Sequence, residues 1–315
     1  MQTLSAADTL RSAMERRAPL RPILEAFQPL TELRASVPAA LLEAVEQSGF
    51  RLPAWDDARG QNGEPLLFGA VPEALGSLGR PLQVAASFFT PVFAELPFLK
   101  PYGAALSALA KDGEALLTAA RAFFEGDADT LEALAEVRAL PSGVLSMVLE
   151  AVCGAVLRAA VKLQYPENAE WAAPWDERPA SWGRGWCPVC GSAPVVAWME
   201  EKGFDHKNPF AAGGGGRKHL HCGLCGTEWR FRRGACPSCD SEGADAMEIL
   251  RESEDSRGER VDWCTRCKTY CPAVDLRERD TRPDMDALAL TLMHLDMVAA
   301  EKGLKPLYPT FWNQH

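Results

Sequence analysis

The stretch from Cys187 to Cys271 carries CPVC at 187–190, CGLC at 222–225, CPSC at 236–239 and CTRC at 264–267. Two residues between cysteines let a tight turn aim both sulfurs at one point, and two such turns supply a tetrahedral ligand set. Cys187, Cys190, Cys222, Cys225, Cys236, Cys239, Cys264 and Cys267 are therefore the candidate metal ligands, enough for two complete sites. Pro188 and Pro237 pre-set two of the turns, and Gly191 and Gly226 permit the left-handed dihedrals expected just after a knuckle. Asp240 holds the equivalent place in the third knuckle and tolerates it moderately well; Lys268, in the fourth, is less suited. The competing use of paired cysteines is disulfides, which belong to oxidising compartments.

Around the knuckles lie short strand-like runs at 194–200, 218–221, 227–232, 247–252, 259–263 and 268–276. Knuckle, strand, returning strand and knuckle is the order that a rubredoxin-like or zinc-ribbon module requires. Read this way, a first module spans 187–232, with 31 residues between Cys190 and Cys222. A second spans 233–276, with 24 residues between Cys239 and Cys264. Both spacers are long, but loop-closure entropy grows only slowly with length. Gly213 to Gly216 marks the insertion in the first as a flexible tip. A cross-braced pairing, knuckle one with three and two with four, satisfies the same arithmetic.

Upstream, residues 1–165 read as helices. Ser5-x-x-Asp8 resembles a capping box before Leu10 and Met14. Apolar spacing gives further helices at 22–35, with a break or kink expected at Pro29, and from Pro38 to Gly49. Residues 51–80, broken by Pro and Gly, read as a long connection before helices at 82–96, 102–110, 114–125, 129–139 and 142–163. Phe88, Phe89, Phe93, Phe98, Phe123 and Phe124 are expected in the core. Residues 166–186 form a Trp- and Pro-rich connection, expected to pack against its neighbours rather than hang free; a partner-binding tryptophan strip is the sharper alternative. Residues 277–315 supply a closing helix over about 284–301, with Leu288, Leu292 and Leu295 on one stripe, and a tail. The expected fold class is α+β: an all-α N-terminal domain, two small β modules and a closing C-terminal helix.

A length of 315 residues suits about two domains. Hydrophobic content of 47% and charged content of 24% are those of an ordinary globular protein, and a net charge of -10 argues against general binding to nucleic acid or anionic membranes. The first residues lack the apolar region and cleavage site of a secretory signal. The most apolar run, 143–161, contains Glu150 and Arg158, each costing about 2.5–3.5 kcal/mol near a bilayer centre. The expectation is a cytoplasmic protein without membrane insertion, which favours metal over disulfides.

Other reactive residues have ordinary readings. Cys153 fits a small hydrophobe on an apolar helix, His219 and His221 fit strand positions, and His206 precedes the glycine tip. Arg217, Lys218, Arg230, Arg232, Arg233, Arg266 and Lys268 lie near knuckles, where offsetting thiolate charge is the plain role and docking an acidic partner the sharper one. There is no Walker loop, GxSxG elbow or HExxH helix, and four-thiolate sites leave no open position for substrate. The expectation is a protein that is not an enzyme.

The run WCPVCGSAPV, then HLHCGLCGTEW with Arg233 before CPSC, then CTRCKTY, resembles the FdhE family of formate dehydrogenase accessory proteins over roughly 187–275. The resemblance implies a cytoplasmic maturation factor that contacts the catalytic subunit of a respiratory formate dehydrogenase. It also implies two metal ions per chain on the eight cysteines, iron in rubredoxin-like coordination, with zinc the alternative that tetrahedral thiolates equally accept. Cys271 departs from the family, which more usually has an apolar residue there. An electron-transfer protein or redox sensor, and a nucleic-acid-binding zinc ribbon, are the alternative functions.

Overall fold

The Ser5 hydroxyl accepts the Asp8 amide at 3.1 Å and starts helix α1 (Ala6–Arg16) where the capping box predicts it. In chain order there follow α2 (Arg21–Ala35), α3 (Ala39–Gln47), α4 (Asp57–Asn62), α5 (Gly79–Glu95), α6 (Gly103–Lys111) and α7 (Gly113–Glu125). Then come α8 (Ala128–Val137), α9 (Ser142–Gln164), the short α10 (Pro174–Glu177), α11 (Met285–Thr291) and α12 (Met293–Glu301). The strands are β1 (Gln2–Thr3), β2 (Pro194–Met199), β3 (Lys218–Cys222), β4 (Glu228–Phe231) and β5 (Met247–Leu250). Four more complete the set: β6 (Glu259–Cys264), β7 (Thr269–Asp275), β8 (Thr281–Arg282) and β9 (Lys305–Pro306). This computed structural model describes residues 1–69, 75–165, 173–177, 182–200, 216–243, 245–253 and 256–313. The fold is α+β.

The chain forms two compact units. One is helical, made of Pro19–Trp55 and Leu66–Trp171, with α9 as its central helix. Every residue of α9 from Ala151 to Ala160 is buried, and it packs against α3, α5, α7 and α8. A helix apolar on all sides is buried somewhere. By length and composition α9 is also long enough to cross a membrane, yet its most apolar window is 72% buried within the protein. Asp112 and Asp127 cap α7 and α8 through hydrogen bonds to Ala115 and Thr130 amides.

Two expectations for this unit change. Helix α2 is not broken at Pro29 but runs on through it; buried Leu24, Phe27, Leu30 and Thr31 hold the helix on both sides. Of the six phenylalanines, only Phe89 and Phe93 are fully buried, while Phe98 is exposed, its ring centre 5.7 Å from that of Phe27 and tilted 31° to it.

The other unit consists of Met1–Ala18, Asp56–Pro65 and Ala172–His315. The expected helical domain of residues 1–165 therefore contributes its first helix and α4 to the cysteine-bearing unit. The reason is local. β1 pairs in parallel with β8, Gln2 opposite Thr281, and α1 packs on α11. Glu259, 1% exposed, then draws Arg16 and Arg17 of that N-terminal segment to 2.8 Å each, and Arg279 to 2.6 Å.

Two small ribbons were expected; the strands merge into one sheet. The order β4-β3-β2-β7-β6-β5 is antiparallel within each ribbon, and the ribbons join where β2 and β7 pair in parallel at Ala197↔Ala273 and Trp198↔Val274. β9 adds to β7 at Thr269 and Tyr270. The closing helix is divided at Leu292 into α11 and α12, which cover one face of the sheet. Met285, Leu288, Leu292 and Leu295 pack there on Val196, Trp198, Val261 and Val274. Small Ala197 and Ala273 share the opposite face with a buried ion chain that crosses from one ribbon to the other. Lys218 meets Asp262 at 2.7 Å, Arg260 bridges Asp262 at 2.9 Å and Asp275 at 3.1 Å.

Indole N–H groups tie the described parts of this connection, 173–177 and 182–186, to the unit and to themselves, as a packed connection requires. Trp182 donates to the Trp186 carbonyl at 3.0 Å, Trp186 to Gly63 at 3.1 Å, and Trp175 to Glu228 at 3.2 Å. Trp175 and Trp182 are buried, so these two are not on display as a docking strip. Trp171 lies outside the described residues.

Candidate metal centres

Each knuckle closes the same way. The carbonyl of the first cysteine accepts the amide four residues on, from Gly191, Gly226, Asp240 and Lys268, each at 3.0 Å. All four have positive φ, 80°, 73°, 58° and 60°. Asp240 is held by ion pairing with Arg232, and the Lys268 ammonium sits 5.1 Å from the centre of the Trp263 ring.

The turns bring the cysteines together as one with two and three with four, so the cross-braced alternative is not formed. Cys187 Sγ lies 3.4 Å from Cys225 Sγ, and Cys190 Sγ 3.5 Å from Cys222 Sγ. In the second group Cys236 and Cys267 are 3.6 Å apart, Cys239 and Cys264 3.7 Å. Within each group all four sulfurs lie within 4.8 Å of one another. A tetrahedral ion with sulfur at about 2.3 Å needs edges of about 3.8 Å. Each group can hold one metal ion.

The donor chemistry agrees. Burial raises the Cys187 and Cys222 thiols well above the usual range. Burial would raise Cys225 too, but hydrogen bonds from Cys187, Cys190, Cys222 and Thr227 bring it well below. Four thiols this close, three of them buried, shed their protons together only when a cation replaces them. The second group is more open: Cys239 is exposed and Cys267 half-buried, against a first group in which only Cys190 is half-buried. The Ser241 hydroxyl and amide bring the Cys239 thiol down to about 6.

A hydroxyl accompanies every knuckle, which the motif reading missed. Ser192, Thr227, Ser241 and Thr269 all stand two residues after the second cysteine, making the pattern C-x-x-C-x-[ST] four times over. Thr227 Oγ1 is 3.1 Å from Cys225 Sγ, Ser241 Oγ 3.2 Å from Cys239, and Thr269 Oγ1 2.9 Å from Cys267. Hydroxyls so placed donate to thiolates and fix sulfur orientation.

The remaining candidates fall outside both groups. His219 bonds Glu200 at 2.7 Å and stacks on Trp198 with ring centres 4.2 Å apart. His221 faces Asp286 and Glu228, each 3.4 Å away; burial opposes its charge, but the two carboxylates raise it to about 10. Cys271 is a buried strand residue opposite Asp262, its thiol pushed up to about 12 mainly by burial. Cys153 is buried in α9, and burial raises its thiol. His206 and Gly213–Gly215 lie outside the described residues.

A family model described as the FdhE central domain matches residues 186–233, the first knuckle pair and its strands. Proteins described as FdhE homologues align with part of this chain at about one residue in three. The Aquifex aeolicus protein is 30% identical over 124 residues, covering 39% of this chain and 39% of its own length. The Pasteurella multocida protein is 33% identical over 119 residues, covering 38% of this chain and 34% of its own. The crystal structure of the FdhE protein from Pseudomonas aeruginosa superposes over 97% of this chain and 93% of that one, with a TM-score of 0.57 and 22% sequence identity. Over residues 186–233 this chain matches the FdhE central domain, and its fold is like that of a solved FdhE protein. The alignment thus spans under two-fifths of these curated FdhE homologues, while the structural likeness covers nearly the whole chain.

Proposed function

We propose that the chain is a cytoplasmic accessory factor for a formate dehydrogenase, docking on the enzyme's catalytic subunit during its maturation. Cys187, Cys190, Cys222 and Cys225 ligate one ion, and Cys236, Cys239, Cys264 and Cys267 the other. Iron is the expected metal, by family resemblance. The observation that carries this reading is a pair of four-sulfur clusters with the donor sets complete, within an FdhE-type fold. Full thiolate coordination leaves no position for a substrate, so the ions hold the docking surface or pass electrons rather than catalyse. Affinity-tagged protein from cells producing the enzyme should co-purify with the catalytic subunit. Repeated failure to recover that subunit, with metal-loaded protein in hand, sinks the proposal.

A redox role for the second centre is favoured by exposed Cys239, which gives a donor or acceptor short access to the metal. Protein purified without air should contain iron and show visible bands on oxidation that dithionite bleaches reversibly. Two zinc ions and no colour, in protein made without zinc excess, would leave the centres structural.

A further inference from the structure

The ends of β3 and β4 away from the Cys222 knuckle open onto a groove of about 410 Å³. Arg217, Arg230, Arg232 and Arg233 line it, with Trp182 and Phe231 behind them. In a chain of net charge -10 this is a local reversal of sign. The ordinary explanation, relief of thiolate charge, does not suit its first-centre side: β3 places Lys218 four residues from Cys222, about 13 Å along the strand. That distance exceeds the screening length of about 8 Å at physiological salt.

Internal partners consume only part of this charge. Lys218 is committed to Asp262 at 2.7 Å, and Arg232 to Glu242 at 2.7 Å and to Asp240. Arg217 reaches Glu200 only at 3.9 Å, and that carboxylate already holds His219 at 2.7 Å. Arg230, half-buried, and Arg233, exposed, form no ion pair among the described residues. Among the described residues, three guanidiniums thus stand around one groove with little to neutralise them.

We propose that this groove receives a short acidic segment of the partner polypeptide, its carboxylates paired with Arg217, Arg230 and Arg233. The inference rests on the accessory-factor reading and names the surface that reading needs. Planar guanidiniums bind carboxylates through two parallel hydrogen bonds, which gives orientation as well as attraction. Nucleic acid fits the groove less well. Single strands need exposed aromatic faces for stacking, but Trp182 is 1% and Phe231 6% exposed, and the Arg232 guanidinium lies 5.9 Å from the Phe231 ring centre.

The test uses the full-length, metal-loaded protein and an Arg230→Glu/Arg233→Glu variant, both positions being accessible enough to tolerate the change. A short fluorescein-labelled peptide of alternating glutamate and serine should bind the wild type, more weakly as salt rises, and a glutamine-serine control should not. The variant should keep its metal content and circular dichroism and lose about tenfold or more in affinity. Equal binding by the variant, no binding by the wild type, or preference for a labelled oligonucleotide overturns the inference. Capture of the formate dehydrogenase catalytic subunit by the same two proteins separates the two claims. Capture by both alike removes the groove and leaves the accessory reading standing; capture by neither removes that reading as well. Loss in the variant alone supports the groove.

Discussion

Cys187 and Cys264 are both fully buried and belong to different sulfur groups. Serine at either position removes one ligand of four, and structural metal binding is itself folding free energy. Cys187→Ser and Cys264→Ser should each lose about one metal equivalent and melt at lower temperature, as metal analysis and thermal unfolding would read. Unchanged metal in both would exclude these residues as ligands. The hydroxyl beside each knuckle is a subtler test. Thr269→Val keeps the shape and removes the donor 2.9 Å from Cys267, so metal affinity should fall about 10- to 100-fold, with Thr269→Ser restoring it. A competition titration with a chromophoric chelator distinguishes the two. The cysteine pattern made both centres legible in the sequence, and positive φ at Asp240 and Lys268 follows from their alignment with Gly191 and Gly226. The repeated serine or threonine was equally legible, but single hydroxyls carry little weight until four knuckles are aligned.

Strands β2, β3, β4, β6 and β7 fall within a residue or two of the runs read from sequence, because β-branched and aromatic residues are bounded there by knuckles. What joins them was not legible. Parallel pairing of β2 with β7 links residues more than seventy positions apart and has no turn to announce it. The ion chain from Lys218 to Asp262 is the polar counterpart of that joint. Both members are buried, so removing one strands the other's charge. Burial would raise the Asp262 carboxyl, yet Lys218 and Arg260 hold it below its ordinary value. Lys218→Met should destabilise the sheet by about 3–5 kcal/mol, less whatever Arg260 recovers. Denaturant unfolding showing a loss under about 1 kcal/mol would mean that the two ribbons are joined by backbone pairing alone.

At the scale of the molecule, the N-terminus is bound into the C-terminal unit by charge. Helix α1 is amphipathic and well capped, so its existence was readable; its destination was not, since Arg16 and Arg17 give no hint of Glu259, more than 240 residues away. Burial alone would raise the Glu259 carboxyl, but hydrogen bonds and charge from Arg16, Arg17 and Arg279 leave it below its ordinary 4.5. A carboxyl whose folded pKa is depressed contributes full stability above its unfolded pKa and loses it as pH falls through the folded value. Wild-type melting should therefore fall below about pH 4.5, while Glu259→Gln, weaker by about 3–5 kcal/mol at neutral pH, should show a shallower decline. Metal release also occurs in acid, so the wild-type minus variant difference is the quantity to follow. Parallel curves for the two proteins would remove Glu259 from the account.

Gly185 lies two residues before Cys187, yet a methyl group there would stand 1.9 Å from the carbonyl oxygen of Pro237, in the third knuckle. The lead-in to one centre therefore rests on the backbone of the other, so ordering either is expected to favour ordering its neighbour. In binding terms this is a coupling free energy, and it must act in both directions. The two ions should load cooperatively, the first lowering the cost of ordering the second site. Wild-type metal titration should be steeper than a single-site isotherm, and Gly185→Ala should flatten it into two separate steps. Two independent steps in the wild type would mean that the contact transmits nothing.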